Sequence, residues 1–169
     1  ESVDLQNGLS SQEALEFISY KTTVEGRYAV AISRESGTAD VDIHLYVSTG
    51  YFDVGLQYRS SGLSLAYPAD SPVVFAVAAL NSVSPFALES YSSAGPTAGP
   101  GGRIEGGRRK PDISGFANVA TASYGTTSLF NGTSAAAPHV AGAAAIVLSA
   151  NPGWSGDQMT RWHKQADLP

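Results

Sequence analysis

Residues 134–150 constrain the fold of this chain more than any other stretch. From Ser134 to Ala150 the segment is rich in alanine, with Pro138 close to its start, and predicts one long helix. It is apolar nearly all round, with no polar stripe. A surface helix keeps a polar face, so a helix of this kind is expected in the middle of something large. Asn151-Pro152-Gly153 ends it, because proline cannot continue a helix. The chain has 169 residues, room for one ordinary domain or two small ones. With 43% hydrophobic and 15% charged residues it is globular rather than disordered.

The composition divides the chain into residues 1–66 and 67–169. In the first part, Gln12 to Tyr20 fits a helix or an extended segment equally well. Gly26 to Ile32 reads as a strand with Tyr28, Val30 and Ile32 on one face. After a turn at 36–39 comes Val41 to Val47, with Val41, Ile43, Leu45 and Val47 on one face. A further short strand fits Val54 to Tyr58. Strands and turns at this spacing predict a small antiparallel sandwich. In the second part, Val73 to Leu80 is a continuous apolar run, as in a parallel strand covered on both faces. Ala94 to Pro111 is a Gly- and Pro-rich loop, and Asn118 to Tyr124 offers short strands. Ser155 is the expected cap of a final short helix.

Several functions are disfavoured at once. The net charge of −5 argues against a nucleic-acid partner. The chain has no cysteine, which excludes disulfide scaffolds and thiolate chemistry. No run is expected to span a membrane, since Val140 to Leu148 is short. Glu1-Ser2-Val3-Asp4 shows no signal peptide, so a leader was removed or the chain is internal to a longer one.

The start of the long helix carries the chemistry. Gly132-Thr133-Ser134 places a serine where first-turn N–H groups point outward unpaired and the helix dipole is positive. An oxyanion formed by attack of Ser134 on a carbonyl would be stabilised there, partly by the N–H of Ser134 itself. Gly132 allows the tight approach, and Ala135 to Ala137 leave space above the site. Pro138 is expected in or just past the first turn, where its missing N–H costs least. The bland alternative is an ordinary serine N-cap.

The run Gly132 to Gly142 resembles the nucleophile motif of the subtilisin-like serine peptidases, departing from it clearly only at Ala135, where methionine is common. Tyr67 to Ala79 resembles the family's Tyr-Pro-Ala strand segment, Glu89 to Thr97 its Phe-Ser-Ser-X-Gly-Pro segment, and Lys110 to Ile113 its Lys-Pro-Asp-Ile. The four occur in the family's order. The resemblance implies an α/β fold: part of a subtilisin-like parallel sheet, with Ser134 opening the long buried helix. It implies a peptide or protein substrate cleaved through an acyl-enzyme on Ser134, with the Ser134 N–H in the oxyanion hole. Gly132, Thr133, Pro138 and His139 are implied as structural members of the motif.

The resemblance also implies a histidine base, an aspartate that orients it and an oxyanion asparagine, all before the serine. His139 lies on the serine's own helix and faces elsewhere. His163 follows the serine, and His44 sits in an expected strand. Asp70 falls inside the strand segment already matched, and Asn81 lacks the glycine that precedes the family's asparagine. The expectation is therefore the C-terminal part of a peptidase domain, with those residues lying before Glu1 and with little activity alone. Two other readings stand beside it: a noncatalytic binding or scaffold module, and an esterase using Ser134, Asp157 and His163. The second lacks the Gly-X-Ser-X-Gly elbow, since position 136 is alanine.

Residues 26–46 resemble the β-sandwich modules attached to secreted bacterial peptidases, which would make this an inserted module of an extracellular protein. Asp40 and Asp42 have a spacing found in calcium sites, but the reading as two exposed turn carboxylates is favoured over it. Gly99 to Lys110 is a flexible loop, because Pro111 forbids the helix a phosphate loop needs. Partial sheets expose edges and apolar faces. The chain is therefore expected to associate with the rest of a parent peptidase domain or with itself.

Overall fold

A computed structural model describes residues 16–34, 36–38, 42–48, 55–100, 103 and 105–166, the last five by backbone alone. The chain forms two compact units, residues 1–40 and 41–169. In the first unit the described residues form no helix or strand. Tyr20 and Tyr28 pack with ring centroids 5.8 Å apart, and the Tyr28 hydroxyl donates to the Val24 carbonyl at 2.6 Å. The strand expected at 26–32 is not formed: Tyr28, Val30 and Ile32 are all exposed. An alternating pattern makes a strand only when a neighbour completes its hydrogen-bond ladder and one face is covered.

In the second unit the described residues 42–48 and 55–66 also lack strands, so the expected antiparallel sandwich is absent among the described residues. Residues 39–41 and 49–54, on which part of that expectation rests, lie outside them. The segment is held by other means. Ser64 exchanges two hydrogen bonds with Ala94, its N–H donating to the Ala94 carbonyl at 3.0 Å and its Oγ accepting from the Ala94 N–H at 2.9 Å. Arg59 donates to the Ser90 carbonyl at 2.6 Å.

Six elements follow: β1 (Val77–Asn81), β2 (Ile113–Ala117), β3 (Val119–Thr121), β4 (Gly125–Phe130), α1 (Thr133–Ala150) and α2 (Gly156–Ala166). Strands β1 and β2 are parallel, in register from Val77 with Ile113 to Asn81 with Ala117. Strands β3 and β4 form an antiparallel hairpin. The apolar run from Val73 becomes a strand only from Val77. Ahead of it the Val74 N–H turns back to the Ser71 carbonyl, and Val73 is 90% exposed.

The core joins Ala79, Ala117, Ala135 and Ala136, flanked by Val77, Val119 and Phe130. Small residues let α1 lie close on the strands. A Cβ added at Gly115 would come within 2.4 Å of the Ala136 carbonyl oxygen and 3.0 Å of Val140 Cγ2. Beside this contact a buried ion pair ties the strands together. Lys110 Nζ donates to Asp112 Oδ2 and to the Val74 carbonyl, each at 2.5 Å. The same carboxylate oxygen accepts the Ala76 N–H at 2.8 Å.

Two expectations about α1 are corrected. Among its residues only Ala135, Ala136 and Val140 are buried, and Ile146 is 72% exposed. The helix packs mainly on β1 and β2, with Val119 and Phe130 of the hairpin against Ala135 and a smaller contact with α2. Its 18 residues, with mean hydropathy 1.3, also reach the length and apolarity of a bilayer span, contrary to the reading of Val140 to Leu148 alone. For α2 the expected cap is present in reciprocal form. Ser155 Oγ accepts the Gln158 N–H at 3.3 Å, and Gln158 Oε1 accepts the Ser155 N–H at 2.7 Å.

Candidate active site

Ser134 is the second residue of α1, not its cap; the N-cap is Gly132, at φ 87°. This left-handed φ suits glycine and disfavours any residue with a Cβ. No side chain caps the helix, and no acidic residue lies in its first turn. The Ala135 and Ala136 N–H groups donate to the Gly132 carbonyl at 3.0 and 3.4 Å. Those of Thr133 and Ser134 come too early in the helix to reach an intrahelical carbonyl. The positive end of α1 is therefore open at an exposed serine. Ala135 shares the buried cluster with Ala117, so α1 begins beside the carboxyl end of β2, where ligands of parallel sheets bind.

Pro138 is the sixth residue of α1, just past its first turn, within the range expected. Lacking an N–H, it leaves the Ser134 carbonyl without its helical donor. The Nδ1 of His139 contacts the Ala135 carbonyl at 2.9 Å. Five residues along an α-helix turn by about 140°, which separates His139 from Ser134. With Pro138 it lines a pocket of about 280 Å³, together with Val119, Thr121, Phe130 and Ala135.

Among the described residues Ser134 Oγ makes no hydrogen bond to a histidine. His44 lies in the strandless segment 42–48, and His163 falls on α2. Asp70 is held through its carbonyl, which accepts Arg108 at 2.6 Å. Asn81 is occupied elsewhere: its amide donates to Glu89 Oε1 at 3.0 Å and its carbonyl accepts the Val83 N–H at 2.8 Å. The same Glu89 oxygen accepts Asn118 Nδ2 at 2.6 Å. Glu89 thus fastens the end of β1 to the corner between β2 and β3. Asp40 lies outside the described residues, among which no group of three His, Asp or Glu side chains could hold a metal.

Tyr91 is a neighbour of the site that sequence reasoning missed. Its hydroxyl donates to Asn131 Oδ1 at 2.5 Å and accepts the Gly132 N–H at 3.2 Å. Desolvation raises the Tyr91 pKa above the usual tyrosine value; the Gly132 N–H opposes this and the Glu89 carboxylate adds to it. The contact spans 40 residues and leaves no local trace in the sequence.

A family model described as the subtilase family matches residues 19–167. Among curated proteins the chain is similar to subtilisin from Bacillus pumilus, 39% identical over 99 residues, covering 57% of this chain and 30% of that protein. It is similar to subtilisin E from Bacillus subtilis (strain 168), 39% identical over 99 residues, with 57% and 22% covered. To subtilisin BL from Lederbergia lenta it is 32% identical over 125 residues, with 73% and 41% covered. The chain thus spans less than half the length of each of these relatives. No solved structure gives a significant match.

Proposed function

The chain belongs to the subtilase family, and we propose that its parent protein is a bacterial serine endopeptidase with Ser134 as nucleophile. The observation that carries this reading is the exposed serine in the uncapped first turn of α1, behind a glycine N-cap. In the reaction Ser134 Oγ forms a bond to the scissile carbonyl carbon. The carbonyl oxygen becomes an oxyanion facing the Ser134 N–H and the helix terminus. Collapse breaks the C–N bond, the amine leaves with a proton, and water then releases the acyl group from Ser134.

Transfer of the serine proton needs a base, which we assign, with its aspartate and the oxyanion asparagine, to residues outside this chain. The shares of the relatives covered, and the occupied state of Asn81, support this assignment. The first part of the chain, to residue 66, is on this reading an inserted module, and the whole acts on peptides outside the cell.

A missing general base costs about 10²–10⁴-fold in rate. The isolated chain is therefore expected to hydrolyse a fluorogenic peptide no faster than its Ser134→Ala variant. Turnover by the chain that disappears in Ser134→Ala would contradict the assignment of the base.

A further inference from the structure

We propose that Tyr91 is a positioning residue for Ser134, its hydroxyl clasping the Asn131–Gly132 turn that sets the start of α1. This rests on the reading of Ser134 as the nucleophile.

Three hydrogen bonds close the clasp. The Tyr91 hydroxyl donates to Asn131 Oδ1 at 2.5 Å. The Gly132 N–H is shared between the Tyr91 oxygen at 3.2 Å and Asn131 Oδ1 at 2.6 Å. Gly132 holds the left-handed φ of 87° from which the helix departs, so whatever fixes its N–H fixes the direction of the Ser134 N–H two residues on. No side chain caps α1 itself, so these bonds are what hold the Gly132 N–H. Tyr91 is itself well placed to act as one. Two residues before it, Glu89 is bonded to Asn81 and Asn118, and one residue after it the buried Ser92 Oγ accepts the Ala79 N–H at 3.0 Å. Segment 89–92 is thus fastened to β1 and to the corner after β2, and Tyr91 extends that rigid frame to the nucleophile turn. Aromatic packing alone would not do this, since the hydroxyl makes both contacts.

The test is NMR on the full chain and on Tyr91→Phe, which keeps the ring and removes the hydroxyl. Loss of one net hydrogen bond corresponds to about tenfold faster amide exchange; this is expected at Gly132, with Asn81 and Ala79 in β1 unchanged. Asn131→Ala is expected to act in the same way while leaving Tyr91 in place. A second readout separates positioning from packing. In the unsubstituted chain the Gly132 and Ser134 amide resonances should follow the titration of the Tyr91 phenol at alkaline pH. They should lose that step in Tyr91→Phe. Glu89 is the charged side chain acting on this phenol. Equal Gly132 exchange in the two chains, or resonances at 132–134 that ignore the phenol, would overturn the clasp. If the coupling is present but Ser134 never reacts in a complete domain, the nucleophile reading falls and the clasp survives. If Ser134 reacts and the coupling is missing, the clasp alone falls.

Discussion

Replacing Asp112 with alanine is expected to lower the stability of the second unit by roughly 3–5 kcal/mol, the range for removing one partner of a buried ion pair. The Lys110 and Asp112 side chains are each only 3% exposed, and their atoms approach to 2.5 Å. Without the carboxylate, the Lys110 ammonium keeps the Val74 carbonyl but loses its counter-charge. The Ala76 N–H, next to the first residue of β1, loses its acceptor at the same time. A domain of ordinary stability has about 5–15 kcal/mol in all, so the variant is expected to be partly unfolded at 37 °C. Lys110→Met is expected to be milder, because the carboxylate retains the Ala76 N–H. Urea titration of the two variants measures the difference. Equal midpoints for Asp112→Ala and the unsubstituted chain would show that the pair is not a structural tie.

Gly115→Val has the second large effect. The added Cβ would meet the Ala136 carbonyl oxygen at 2.4 Å and Val140 Cγ2 at 3.0 Å. The nearer atom is helix backbone and cannot rotate aside. Overpacked cores typically lose about 1–3 kcal/mol, and this variant is expected at or above the top of that range. Relief requires α1 to move off β2, which carries Ser134 away from the strand ends. Gly142→Ala is the control on the same helix. A Cβ there meets nothing within 4 Å, and alanine is favoured over glycine by about 0.8–1.0 kcal/mol in a helix interior. Gly142→Ala should thus raise the denaturation midpoint while Gly115→Val lowers it. Equal shifts at both positions would mean that α1 does not lie against β2 as described.

Much of the second unit was legible in the sequence, for local reasons. The alanine run and Asn151-Pro152-Gly153 set the extent of α1 to within a residue. The Ser155–Gln158 spacing announces a reciprocal cap, although only Ser155 was singled out. The run ending at Leu80 gave β1, but not its start. The turn at Ser71 to Val74 depends on contacts that the apolar pattern does not encode. The β4 strand was missed because Gly125 to Phe130 is exposed on nearly every residue and shows no buried face. In residues 26–47 the alternation was real but led to no strand among the described residues, since a face pattern says nothing about which neighbour completes the ladder. At the candidate site, the place of Ser134 in the first turn of α1 was legible because a helix start is local. Tyr91 was not, because its role depends on a loop 40 residues away. The expected burial of α1 is not met among the described residues for the same reason: an apolar pattern states what a helix requires and does not say what covers it.

The most direct test of the account compares two settings of one serine. A fluorophosphonate probe is applied to this chain alone and to the chain joined to a subtilase segment that carries the histidine, aspartate and oxyanion asparagine. Intact mass and peptide mapping then report modification at Ser134, with Ser134→Ala as the blank. The account predicts prompt labelling of Ser134 in the joined protein and none in the isolated chain over the same time. Equal labelling in both, or labelling in neither, would contradict it.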